Sequence, residues 1–326
     1  MLKISAHVES WEFEEVFRFS GREVSTSDGI VVKISDGTHM GMGEAQGVFY
    51  IGETPTSMLV QINSVADELR KGISRKTLLS LLPAGGARNA IDCALWDLEC
   101  KQTGKTIWQL TGIEPKPITT VYTIGIEDTP EAMAAKAAAA SQYPILKIKL
   151  DGHQPLERLK AIRAARPDAK LVVDANQAWS FEQLKALIPQ CVELNLEMIE
   201  QPLARDQDEM LVDFTSPITL AADESCLDSG ELVGIEGRYN MINIKLDKAG
   251  GLTEALNLAK AARAKGYKLM VGNMCGTSLS IAPSFVIAQL CDFVDIDGPL
   301  LLKHDHPNGL QFKSEQVSCF KPSFWG

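Results

Sequence analysis

The chain has 326 residues, 45% hydrophobic and 23% charged, with a formal net charge of −10. That length and mixture allow a sizeable core and more than one domain. The acidic balance, with no basic face, argues against nucleic acid as a partner, and no run of about 18 apolar residues is present to span a membrane.

The seven cysteines are odd in number and scattered, without a Cys-x-x-Cys pair. They read as free, mostly buried thiols in a reducing compartment. The opening MLKISAHVESWEFEE lacks a basic start followed by an apolar stretch. No signal peptide is therefore expected, and the cytoplasm is the expected location.

Residues 1–46 read as strands. Ser27-Asp28-Gly29 leads into Val31-Val32-Lys33-Ile34, and Ser35-Asp36-Gly37-Thr38 turns the chain toward Met40-Gly41-Met42-Gly43-Glu44. Residues 55–112 read as helical. Pro55-Thr56-Ser57 opens one helix, and 87–102 forms a strongly amphipathic one that Gly104 stops. A run of strands followed by a run of helices is an α+β pattern.

From about residue 118 short apolar runs alternate with Ala-rich helical segments. The expected strands are 118–126, 145–151, 170–176, 196–201, 218–224, 240–246, 268–273 and 292–297, with seven helices between them. This alternation implies parallel strands and right-handed crossovers. Eight such units close into a (β/α)₇β barrel of the TIM type, with its site at the carboxyl ends of the strands. An open doubly wound sheet is the alternative, but it wants a Gly-x-Gly-x-x-Gly turn after its first strand, and none is present. The expected division is an α+β capping domain at 1–115, completed by the tail 303–326, and a barrel at 116–302.

Five charged residues, Lys149, Asp174, Glu200, Asp223 and Lys245, end successive barrel strands at gaps of 25, 26, 23 and 22 residues. In Ile145-Leu146-Lys147-Ile148-Lys149-Leu150, side chains two apart share a face. Leu146, Ile148 and Leu150 suit the outside of a barrel, so Lys147 and Lys149 point inward. A lysine ending a strand can also simply reach solvent, and each carboxylate alone could cap the next helix. Three carboxylates on consecutive strands favour a common site. Oxygen ligands without His or Cys suit Mg²⁺ rather than zinc. Lys149 and Lys245 lie across the mouth from each other. A base on either side of one carbon can take a proton from one face and return one to the other. For that work a lysine must fall below its usual pKa near 10.4. Lys147 and a dication are the expected cause.

The Lys-x-Lys pair, the Asp/Glu/Asp set and Lys245-Leu-Asp-Lys-Ala-Gly-Gly resemble the enolase superfamily, muconate lactonizing subgroup. The mandelate racemase subgroup fits poorly, because 268–273 ends in Gly272-Asn273 without a histidine base. Segments 86–98, 239–256 and 295–299 resemble bacterial dipeptide epimerases of the L-Ala-D/L-Glu type, and the likeness covers nearly the whole chain. The resemblance implies epimerisation of L-Ala-D-Glu to L-Ala-L-Glu in cell-wall peptide recycling. It implies Lys149 and Lys245 as the acid/base pair, and Asp174, Glu200 and Asp223 as holders of Mg²⁺. Asp295 and Asp297 share one strand face by alternation and suit the ammonium of a dipeptide. By the same resemblance Lys147, Thr123 and Asn273 touch substrate, and Arg22 meets its glutamate side chain. The family's commoner loop places that arginine one position earlier. Small-molecule dipeptides are the expected partners, and the sequence leaves room for a homo-oligomer.

Two other readings compete. One is a different reaction on the same site: cycloisomerisation, o-succinylbenzoate formation or N-acylamino acid racemisation. The other is a non-catalytic ligand-binding barrel. Smaller signals point to structure. Gly104-Lys105-Thr106 resembles the end of a phosphate loop, but Glu99 stands where its first glycine belongs. His304-Asp305-His306 reads as a surface loop. Cys275 lacks a nearby histidine and reads as packing or substrate lining. Asn176 and Gln177 read as hydrogen-bonding support for Asp174.

Overall fold

The computed structural model describes residues 1–313 and 316–326. Strands Lys3–Phe19 and Arg22–Ser35 pair antiparallel, and Met40–Ala45 joins the second. Ile30, Val32 and Ile34 alternate onto one face and are fully buried, which fixes the register. Thr54 caps helix Pro55–Ser64 through a reciprocal bond with Ser57, as the Pro-Thr-Ser signal predicts.

Helix Gly86–Thr103 ends at Gly104, which adopts the left-handed conformation as expected. Its expected amphipathic character is not found: Gly86 to Leu98 is buried throughout. The helix lies between the N-terminal sheet and the turn after the sixth barrel strand, so both sides are covered. Its polar groups find partners there. Arg88 donates to Ala249 O at 2.7 Å and Gly250 O at 3.1 Å. Asp92 accepts from Thr253 N at 2.9 Å, and Asp97 accepts from Met42 N at 2.9 Å. Gly41 and Gly43 let the sheet approach this helix, because a Cβ on either would overlap the carbonyls of Ala94 or Ala90. Gly41→Ala should lower unfolding free energy by about 1–3 kcal/mol through overpacking, read from urea denaturation.

The eight barrel strands are Tyr122–Ile124, Ile145–Lys149, Lys170–Asp174, Leu196–Glu200, Thr219–Ala222, Met241–Ile244, Lys268–Val271 and Phe293–Val294. They pair in parallel in chain order, and Val121 N donates to Val294 O at 2.9 Å to join the first to the last. All eight fall within the expected ranges. The expected seven helices do not all form. Two connections, after Glu200 and after Ala222, carry only the 3₁₀ turns Asp208–Leu211 and Ser229–Glu231. The first connection is bounded by Pro202 and Pro217, and the second contains Gly230, Gly234 and Gly237. The three glycines disfavour an α-helix in the second.

Inside the barrel an apolar layer of Val121, Val172, Met198, Ala221, Met241 and Met270 is fully buried. Two residues farther along these strands come Thr123, Asp174, Glu200, Asp223, Asn243 and Gly272. The period of two thus sets a packed floor beneath a rim that is polar except at Gly272. The tail returns to the N-terminal region. Phe312–Lys313 and Gln316–Val317 pair, and the latter pairs with Ile118–Thr119. Trp325 Nε1 donates to Met42 O at 3.0 Å. Among the described residues no helix is long and apolar enough to cross a membrane, and all seven cysteines are free.

Candidate active site

A cavity of about 240 Å³ opens between the barrel rim and the N-terminal sheet. Lys147, Lys149, Asp223, Lys245, Asp295 and Asp297 line it from the barrel. Phe17, Phe19, Arg22, Phe49 and Tyr50 line it from the N-terminal segment. Asp174 and Glu200 lie just below, both with no exposure.

The two inward lysines behave as the alternation predicts. Lys147 is 1% exposed and Lys149 9%, while Leu146 and Ile148 pack outward into the apolar core. Lys147 Nζ reaches Asp295 Oδ2 at 2.6 Å, Glu200 Oε2 at 2.8 Å and Asp174 Oδ2 at 3.2 Å. Lys149 Nζ donates to Asp174 Oδ2 at 2.6 Å and Asn176 Oδ1 at 3.0 Å. Across the mouth, Lys245 Nζ meets Asp223 Oδ2 at 2.6 Å. Gly272 makes room for it, since a Cβ there would stand 2.9 Å from Lys245 Cε.

Burial alone would lower Lys245, but the charges of Asp223 and Glu200 outweigh it and raise its pKa. The lowering expected from the sequence rests on a dication beside the lysine; the carboxylates alone act the other way on Lys245. Burial likewise favours neutral Asp174, yet Lys149 and Lys147 hold it down to about 2. Glu200 rises to about 7, through burial and the charge of Asp174.

Among the described residues no three His, Cys, Asp or Glu groups converge, as placed, into a ready ligand set. The donor chemistry nevertheless fits a hard cation. Asp174, Glu200 and Asp223 offer only oxygen. Glu200 Oε2 and Asp223 Oδ1 are buried without a hydrogen-bond donor aligned on them, although lysine nitrogens stand 2.8 Å from each.

Asp295 and Asp297 both reach the cavity, but not by strand alternation. The last strand stops at Val294, and Asp297 precedes the short helix Gly298–Leu301. Asp295 is already engaged by Lys147 and by Asn273 Nδ2, which donates to its backbone oxygen at 2.9 Å. Asp297 Oδ2 accepts Thr123 N at 2.6 Å. Burial first, then the charge of Asp295, lift Asp297 to about 8. Arg22 is exposed at the cavity edge, with its guanidinium 4.2 Å from the centre of the Phe49 ring.

Asn176 supports the site as expected, whereas Gln177 turns away and accepts Arg205 N at 3.0 Å. Cys275 lines the cavity, and burial pushes its thiol up to about 12, so lining rather than nucleophilic attack suits it. His304 is exposed as expected, whereas His306 is half-buried; it lies edge-on to Trp11 at 5.0 Å and 3.5 Å from Glu44.

Sequence reasoning missed several residues. Asn243 donates to Glu200 Oε1 at 2.6 Å, and its place two residues before Lys245 could have revealed it. Glu224 lines the cavity and rises to about 8 through burial and then Asp223. Tyr50 puts a buried, unpartnered hydroxyl there; no local pattern marks either one.

Family models match the chain twice: the mandelate racemase/muconate lactonizing enzyme N-terminal domain over residues 15–112, and the enolase C-terminal domain-like family over 131–311. The chain belongs to the enolase superfamily. It is 41% identical to an L-Ala-D/L-Glu epimerase of Escherichia coli, over 97% of this chain and 99% of that protein. It is 39% identical to an N-acetyl-D-glutamate racemase of Pseudoalteromonas, over 91% and 95%. A crystal structure from Agrobacterium tumefaciens, an enolase family member with homology to dipeptide epimerases, holds sodium and L-Ala-L-Glu. It matches with a TM-score of 0.97 at 39% identity, covering both chains fully. Other solved dipeptide epimerases that resemble this chain are complexed with Mg and a dipeptide.

Proposed function

We propose that the protein is a dipeptide epimerase of the L-Ala-D/L-Glu type, using a two-lysine 1,1-proton transfer. The observation that carries this reading is the placement of Lys149 and Lys245, on the second and sixth of the eight strands, in one cavity that Asp295 and Asp297 also line. An α-carbon between the lysines can lose its proton to one and regain a proton from the other on the opposite face. The substrate ammonium belongs at Asp297 and Asp295, which sets the reacting carbon one residue away. Arg22 offers its guanidinium to the second side chain. The same reading assigns residues 1–115 with 303–326 to the capping domain and 116–302 to the barrel.

Asp174, Glu200 and Asp223 would hold Mg²⁺, with Asn243 steadying Glu200. Bound there, the ion would supply Lewis-acid stabilisation of the enolate oxygens and offset the carboxylate charge that raises the lysines. Lys147, between Asp174, Glu200 and Asp295, keeps those three carboxylates aligned.

The second relative supports a rival reading, racemisation of an N-acylated glutamate. Such a substrate has no ammonium for the aspartate pair. A dipeptide library in D₂O, followed by mass spectrometry, separates the two. The expected result is one deuterium gained by L-Ala-L-Glu and L-Ala-D-Glu, well ahead of N-acetylglutamate. No exchange on any dipeptide would refute the assignment.

A further inference from the structure

The turn after the sixth barrel strand carries Lys245, Asp247 and Lys248 within four positions. Lys248 is 1% exposed and does not line the cavity. Its Nζ donates to three backbone carbonyls: Asp223 O at 2.5 Å, Asn243 O at 2.8 Å and Cys226 O at 3.0 Å. An ammonium has three N–H donors, so these bonds use all of them. The same nitrogen stands 2.8 Å from Asp223 Oδ1, an oxygen that no hydrogen bond satisfies. That contact is an electrostatic one.

This cage joins the end of the fifth strand to the end of the sixth. Helix Leu246–Ala249 has four residues, and Lys245 is the residue that caps it. A helix so short does not hold its own shape. It is fixed from outside instead. Arg88 grips its C-terminal carbonyls, and Asp247 accepts Gly47 N at 2.8 Å. Lys248 secures it to the barrel rim. By facing Asp223 Oδ1, it also leaves only Oδ2 to Lys245. Lys149 shares none of these contacts; Asp174 and Asn176 orient it.

We propose that Lys248 is a positioning residue that holds Lys245 against one face of the reacting carbon, independently of Lys149. The proposal rests on the two-lysine reading above. It explains why a fully buried lysine that does not line the cavity sits three residues after one that does. The strand end alone would leave Lys245 on a mobile turn.

The test uses Lys248→Met, which keeps the length of the chain and removes its donors, and Lys248→Gln, which keeps two donors. The Lys245 face is identified by the epimer that still exchanges its α-proton in Lys149→Ala. For that epimer, exchange in D₂O should fall about 10²-fold, as expected for a reacting group misplaced by about 1 Å. Exchange of the other epimer should stay near the wild-type rate. In the substrate-free protein, amide exchange of residues 243–250 should quicken while 145–151 keeps its protection. Equal losses on both faces, unchanged protection of 243–250, or unfolding of both variants would overturn the proposal. Absence of exchange by the wild-type protein on every dipeptide would instead sink the two-lysine reading, and this proposal with it.

Discussion

Lys149→Ala and Lys245→Ala should each cut epimerisation by about 10⁴-fold, the upper range for one positioned acid or base, without unfolding the protein. The fold should survive because neither change strands a buried carboxylate. Asp174 keeps Lys147 at 3.2 Å, and Asp223 keeps Lys248 at 2.8 Å. Breaking a buried pair is costly chiefly when a charge is left alone. The two variants should also differ in kind. Each retains one base, so each should wash deuterium into one epimer and not the other. Chiral chromatography reads the turnover, isotope incorporation reads the face, and circular dichroism reads the fold. Near-normal epimerisation in both variants would end the two-base mechanism.

The barrel was legible because its inward positions obey a period of two. Val172 precedes Asp174, Met198 precedes Glu200 and Ala221 precedes Asp223, each by one full pleat. Such strands look apolar until a terminal charge, and that pattern marks both the floor and the rim. The helix at 86–103 was misread because a pattern along one segment does not record how many neighbours cover it. Its polar residues are buried partners of Ala249, Gly250 and Thr253, about 160 residues away in the chain. The two missing crossover helices show that strand spacing fixes the length of a connection but not its conformation. Tyr50 and Glu224 were invisible for a related reason: each enters the cavity through a loop whose path depends on the rest of the fold. Without a cation, Asp223 and Glu200, which face Lys245, raise its pKa; the lowering expected from the sequence counts a dication among these carboxylates, which would oppose them.

Substrate choice should turn on Asp297 more than on Asp295. Asp295 already has Lys147 and Asn273 as partners, whereas Asp297 is held by the backbone N–H of Thr123 on the adjoining first strand. Asp297→Asn should lower kcat/KM for L-Ala-L-Glu by about 50-fold, the weight of a charged hydrogen bond of about 2–3 kcal/mol. It should leave any turnover of N-acetylglutamate unaltered. The pH dependence supplies a second readout. In the free protein Asp297 is raised to about 8, so below that pH it is mostly protonated. An arriving ammonium favours its ionised form, and binding then releases a proton. Affinity should therefore climb as pH rises toward 8 and level off above it. Deprotonation of the dipeptide's own amine, near pH 8 in model compounds, turns the profile downward beyond that point. A kcat/KM optimum close to pH 8 in the wild-type protein, with the acidic limb flattened in Asp297→Asn, is the expected pair of curves. An unchanged acidic limb in the variant would remove Asp297 from the ammonium site and return the choice between dipeptide and N-acyl substrate to Arg22 and the loop around Phe49.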